Sequence, residues 1–277
     1  MKLSRFFKKR GAAISFLIIA IILGIMPLLL NAGMLSGSST VIFLGKCMAF
    51  AIGAMGIDLI WGYTGILSLG HGLYFALGGY CMAMYLKLQE TGGKITDFMH
   101  IGGLDELPLI WKPFNSFALT LILIIAVPSV VAFIIAIRDG ENRTYFSGYK
   151  VSAYKNFIYV LSAALAGIAG AVFVNFNGSI TPSQMTISYS ITMVIWVAVG
   201  GRGTIIGAVI GALLINLCEY NLSTGSMVEI WQYIIGAVFC VTIIFFKSGI
   251  VGIVSEQLPA LFRKLKAKGK DKAKEAA

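Results

Sequence analysis

Ser68, His71, Tyr74 and Phe75 fall within one strongly apolar stretch, just after Tyr63 and Thr64. On a helix, positions 68, 71 and 75 are spaced i, i+3 and i+7 and share one face. Hydroxyl, imidazole and phenol groups give and take hydrogen bonds without carrying charge. No Lys, Arg, Asp or Glu lies between Trp61 and Leu86. Such a face can border the route of a small polar solute, and it can equally tie two helices together. For His71 both readings stand. Tyr63 and Thr64 add hydrogen-bonding groups, and Tyr63 also suits interfacial anchoring. Asp58 is either an interfacial residue capped by the glycine-rich backbone after it or a functional carboxylate.

The residue types do not assemble a reactive centre. The only other histidine, His100, is distant, so no metal pair forms, and no metal or cofactor is expected. The sequence has no phosphate-binding glycine loop, no Cys/His nucleophile pair and no carboxylate pair in a plausible site. We therefore expect no enzyme. Cys47, Cys81, Cys218 and Cys240 have no pairing or ligand spacing and read as small buried hydrophobes.

The elements that hold these residues are membrane helices. Hydrophobic residues make up 58% of the 277 positions and charged residues 12%. That charged share is about half of a soluble domain's, and mean hydropathy is +0.87. Eight apolar runs are candidate passes: 12–30, 41–61, 67–86, 116–137, 157–174, 187–199, 204–217 and 229–246. The sixth and seventh are short and flank Gly200-Gly201-Arg202-Gly203, which suggests a tight hairpin or a partly re-entrant pair. Six glycines between Gly62 and Gly79 point to close packing or a water-lined cavity. Small residues recur at Ala163, Gly167 and Ala171, with Gly170 beside them, and at Gly207 and Gly211. These are expected to be helix-packing positions.

Charge orients the bundle. Lys2, Arg5, Lys8, Lys9 and Arg10 precede the first run, and seven basic residues follow Pro259. Both ends are therefore expected in the cytoplasm, with an even number of passes. The chain divides into a basic amino-terminal segment (1–11), a membrane domain (12–252) and a basic tail (253–277). The first run is longer than a signal-peptide core and lacks a good cleavage site. The net charge of +10 reads as a topology signal. The tail's expected neighbour is anionic lipid, not nucleic acid. The inner loop at 138–155 carries Arg138, Asp139, Glu141 and Arg143, which can share a short amphipathic helix fit to dock on a soluble partner.

Three stretches carry a resemblance: DLIWGYTGILSLGHGLYFALGGY from Asp58, IRDGENRTYFSGYKVSAYKNFIYVLSAALAGIAGAVF from Ile137, and VIWVAVGGRGTIIGAVIGALL from Val194. Together they resemble the permeases of branched-chain amino-acid-type ABC importers, and most of all the urea-type branch. The resemblance extends from about Ala49 to Gly252. It implies an all-α, multi-pass subunit of a bacterial cell membrane. A second homologous permease, two cytoplasmic ATPases and an extracytoplasmic solute-binding protein would be its partners. The region from Arg138 to Gly148 and Tyr149 matches the segment that touches the ATPase. The resemblance also implies urea, a short-chain amide or a branched-chain amino acid as solute, carried past Tyr63, Thr64, Ser68, His71, Tyr74 and Phe75. One departure stands out: a segment worth about two passes is missing near residues 132–138. A scaffold subunit that keeps the ATPase contact but has lost its passage is thus the rival to a working permease.

Overall fold

The computed structural model describes residues 38–103, 106–139 and 151–224, with the single positions 233, 236, 237, 240 and 249. The predicted pass at 12–30 and the basic segments at both ends lie outside the described residues, as does the pass at 229–246 except for positions 233, 236, 237 and 240. The architecture is an all-α, multi-pass bundle. Its helices are α1 (Ser38–Thr64), α2 (His71–Glu90), the short α3 (Asp97–Ile101), α4 (Phe117–Asp139), α5 (Val151–Asn177), α6 (Ile187–Gly200) and α7 (Ile205–Thr224), with 3-10 turns at Lys112–Asn115 and Pro182–Met185. Among the described residues three helices, α1, α4 and α5, are long and apolar enough to cross a membrane, and α6 with α7 forms a pair bent by 115°, a broken span or a re-entrant loop, that makes a fourth if it is one span.

Helix α5 is the spine, packing on α1, α2 and α4. Its small residues make this possible: Ala163, Ala166 and Ala169 are fully buried. A Cβ at Gly78 would collide with the Gly167 backbone, and one at Gly170 with the Phe75 carbonyl. On its other flank Gly167 admits α4, where a Cβ would lie 2.7 Å from both the Ile124 carbonyl and Pro128. Close backbone approach of this kind replaces the hydrophobic effect as the packing force in lipid. Gly207 and Gly211 do the same for α7, against Gly200, Gly201 and the Trp196 carbonyl of α6.

Two apolar clusters result. One joins Ile57, Tyr74, Phe75, Phe173 and Trp196 at the centre; the other joins Met84, Leu88, Met99 and Phe114 where α3 and the Lys112–Asn115 turn close over α2. Helix α4 differs, exposing Leu119, Ile122, Val130, Phe133 and Ile134 as an apolar flank. At the end of α2, Lys87 Nζ lies 2.6 Å from Glu90, and that contact raises the lysine above its ordinary pKa.

Helix α2 begins at His71, four residues later than the run predicted from 67, because residues 65–70 are not helical. Gly65 has a φ of +76°, a left-handed conformation that ends α1. Ser68 therefore sits in the connection and not on the helical face with His71 and Phe75, which corrects the shared-face expectation.

Candidate functional site

The polar groups at the start of α2 meet others from α5. His71 Nε2 lies 2.6 Å from Ser162 Oγ, and that hydroxyl donates to the Gly56 carbonyl of α1. A serine hydroxyl has one proton. With that proton on Gly56, Ser162 accepts from His71, so Nε2 carries the hydrogen and Nδ1 is the bare acceptor. His71 is fully buried, and Nδ1 has no hydrogen-bond partner among the described residues. One neutral imidazole thus links α2, α5 and α1. Beside it Tyr74 Oη and Tyr159 Oη are 2.9 Å apart, and Ser68 Oγ is 3.5 Å from Tyr159. The rings of His71, Tyr74 and Tyr159 meet edge to face. The next residue, Gly72, donates its backbone N–H to Ser190 Oγ of α6 at 2.9 Å, so a side chain satisfies one open donor of the helix start.

The other sequence-derived pathway residues disperse. Phe75 packs among Phe50, Phe173 and Tyr189. Thr64 turns back on its own helix to the Ile60 carbonyl, 2.5 Å away, and Tyr63 is exposed. Ser68, His71 and Tyr74 come together; Tyr63, Thr64 and Phe75 do not join them. Arg138 and Asp139 end α4, whereas Glu141, Arg143, Gly148 and Tyr149 lie outside the described residues.

Asp58 has a partner that sequence reasoning did not anticipate. Its Oδ1 accepts from Gly203 N at 2.6 Å, in the bend between α6 and α7. Arg202 donates to the Trp61 carbonyl at 3.2 Å and lies 5.0 Å from the Trp61 ring centre. Gly203 has a φ of +78°, and a Cβ at Gly62 would lie 2.7 Å from its Cα. The one-turn face Asp58, Trp61 and Gly62 therefore holds the bend of the α6–α7 pair.

Sequence reasoning also passed over a polar segment. Residues 178–186 leave α5 at Gly178 (φ +73°) and run back along α2: Ile180 meets the Gly79 position, and the Gln184 and Thr186 carbonyls meet Gly72. Its signal was compositional: no Lys, Arg, Asp, Glu or His occurs from Asn156 to Gly201, yet hydroxyl and amide residues crowd 175–190.

No group of three or more metal-ligating side chains occurs among the described residues. The described free thiols are split, Cys47 and Cys81 buried, Cys218 and Cys240 exposed.

Comparison with known proteins agrees with this architecture. The model for the branched-chain amino acid transport system / permease component family matches residues 39–139 and 132–243. The match is in two pieces that share residues 132–139. A ribose import permease of Haemophilus influenzae is 24% identical over 219 residues, 76% of this chain and 64% of the relative. The ribose import permease of Escherichia coli K12 is 30% identical over 112 residues, 38% of this chain and 35% of the relative. A fructose import permease of Rhizobium meliloti is 28% identical over 108 residues, 37% and 30% respectively. The chain thus spans 64% or less of the length of these relatives. These relatives are named for sugars, not for urea. No solved structure matches. With both halves of its described helices matched, the chain belongs to the family of branched-chain amino-acid-type transport permeases.

Proposed function

We propose that the chain is the permease subunit of an ATP-driven importer in a bacterial cell membrane, acting on a small uncharged polar solute. The observation that carries this reading is the family match on a helical bundle whose polar groups at membrane depth are almost all neutral. An uncharged solute needs donors and acceptors rather than a counter-ion. Urea and short-chain amides are the first candidates. The sugars that name the relatives belong to the same chemical class. Branched-chain amino acids fit less well, because their carboxylate and ammonium call for charged partners, and none occurs from Asn156 to Gly201.

In this reading a second homologous permease completes the passage, two cytoplasmic ATPases drive it and an extracytoplasmic binding protein delivers solute. Arg138, Asp139, Glu141, Arg143, Gly148 and Tyr149 face the ATPase, and the basic tail rests on anionic lipid. Of the sequence-derived pathway residues, Ser68, His71 and Tyr74 brace the helices beside the solute route, Phe75 is buried behind them, and Tyr63 and Thr64 lie at the end of α1. The double reversal Asp139→Lys/Glu141→Lys should uncouple ATP hydrolysis from uptake.

The test is uptake of labelled urea, ribose and leucine by vesicles carrying the whole complex. ATP-dependent entry of urea or ribose, with leucine excluded, is the expected result. Assembly with ATPase binding but no uptake of any of the three would favour the second reading, a scaffold subunit. The division of the family match into two pieces that overlap at 132–139 is the observation on that side.

A further inference from the structure

The return segment between α5 and α6 has an unusual position for irregular backbone. Gly79 and Gly72 of α2 lie 11 and 18 residues before its last residue, Glu90, which places them roughly 17 and 27 Å along the helix from that end. Ile180 packs at the first and Gln184 at the second. The chain therefore runs inward for about 10 Å with no helix except the four-residue turn Pro182–Met185. Non-helical backbone at membrane depth is tolerated only where it is buried in protein or lines water. Thr181, Ser183 and Thr186 are exposed, as is Ser188 just beyond.

The hydrogen bonds of this segment have a direction. Thr181 N donates to Gln184 Oε1 at 2.9 Å, which fixes which end of the amide is oxygen. Thr181 Oγ1 donates to the same oxygen at 2.7 Å. Its proton is then spent, so the 2.6 Å contact with Ser183 Oγ is a donation from Ser183. Two groups are left over. The amide nitrogen of Gln184 has two N–H groups with no acceptor among the described residues, and Ser183 Oγ keeps its lone pairs. An ordered donor and an ordered acceptor stand one residue apart, with no charge nearby in sequence. Thr186 caps the start of α6 just below by accepting from Tyr189 N at 3.4 Å.

We infer that residues 178–186 form a solute-contact wall of an aqueous cavity, in which Gln184 Nε2 donates to, and Ser183 Oγ accepts from, a neutral solute bearing carbonyl or hydroxyl groups. This rests on the permease reading above and deepens it by naming the contacts. Gly72 and Gly79 serve the wall by letting the backbone lie flat on α2.

The test uses the complete assembly in vesicles, with Cys218→Ser and Cys240→Ser as background. Ser183→Cys should react with a membrane-impermeant maleimide, and urea or ribose, but not leucine, should slow that reaction. Gln184→Leu should raise the half-saturating concentration for uptake about 3- to 10-fold, the scale of one neutral hydrogen bond, with assembly and ATPase activity unchanged. An unreactive Ser183→Cys means that another subunit buries the segment, and overturns the inference. Labelling that neither urea nor ribose slows, or native uptake by Gln184→Leu, overturns it as well. Should the unaltered assembly import none of the three, the importer function falls, and protection of Ser183→Cys alone decides for or against the wall.

Discussion

Two polar regions of this protein lie side by side on α2 and are built in opposite ways. Around His71 the hydroxyl and imidazole groups are buried and mostly spent on one another: Ser162 serves both His71 and Gly56, and Tyr74 faces Tyr159. Along 178–186 the groups are exposed and satisfied on one side only. A buried polar network rigidifies what it joins, because an unmade hydrogen bond there carries the full desolvation cost. An exposed one keeps capacity for something that arrives later. The contrast teaches that polarity inside a membrane segment does not by itself mark a passage; unspent bonding capacity is the better guide.

The hardest way to break the closed side is to fill the glycine contact beneath it. Gly170→Leu drives a side chain into the Phe75 carbonyl, where backbone faces backbone and neither can yield. We expect a loss of about 3 kcal/mol or more, seen as failure to recover a monodisperse protein in detergent. A variant that folds and melts like the native chain would mean that α2 and α5 do not touch there.

Next comes the histidine tie. His71→Leu leaves the Ser162 oxygen without its donor, while the Ser162 proton stays on Gly56, and should cost about 1–3 kcal/mol, whereas Gln retains much of the bonding. Thermal unfolding in detergent reads this difference. Native stability in the leucine variant, together with impaired uptake, would reverse the comparison and make His71 a solute contact.

Asp58 gives a smaller effect of the same kind. Asp58→Asn keeps an acceptor for Gly203 N, while Asp58→Ala removes it and should cost about 1–2 kcal/mol. Protease sensitivity at the α6–α7 bend should rise only in the alanine variant. Equal sensitivity in both would assign Asp58 a role that depends on its charge.

The least effect is expected on the open side. Ser188 is exposed and makes no side-chain hydrogen bond among the described residues, so Ser188→Ala should leave unfolding unchanged within error. A clear loss of stability would mean that this surface is covered and structural, and would erase the distinction between the two regions.

Much of the helical order was legible in the sequence, since apolar runs of membrane length need little else. The predicted 116–137 became Phe117–Asp139, and 157–174 falls within Val151–Asn177. The start of α2 was misplaced because Leu67 and Leu69 look helical by hydropathy, although Gly65 has already turned the chain. Helix α2 is not among the described helices apolar enough to cross alone. It packs against α5, α4 and α6, so its glycines and His71 never have to satisfy lipid. The site was only half legible. Ser68, His71 and Tyr74 could be listed, but their partners Tyr159 and Ser162 come from a helix about ninety residues away in sequence. The partnership of Asp58 with Gly203 depends on a bend whose angle no local pattern encodes. The segment at 178–186 resembles an ordinary surface loop until its position against Gly72 and Gly79 is known.

The central place of α5 has a consequence for biogenesis. Helices α1, α2 and α4 all lean on a helix that follows them in the chain. As the polypeptide leaves the ribosome, these three segments reach the bilayer before the surface that unites them exists. Gly78, Gly79 and Gly56 then present open grooves with nothing in them. A nascent chain stalled before residue 151 should be held loosely and degraded readily, and one stalled after residue 177 should resist. Protease pulse experiments on chains of defined length would show whether resistance appears at that step or accumulates gradually.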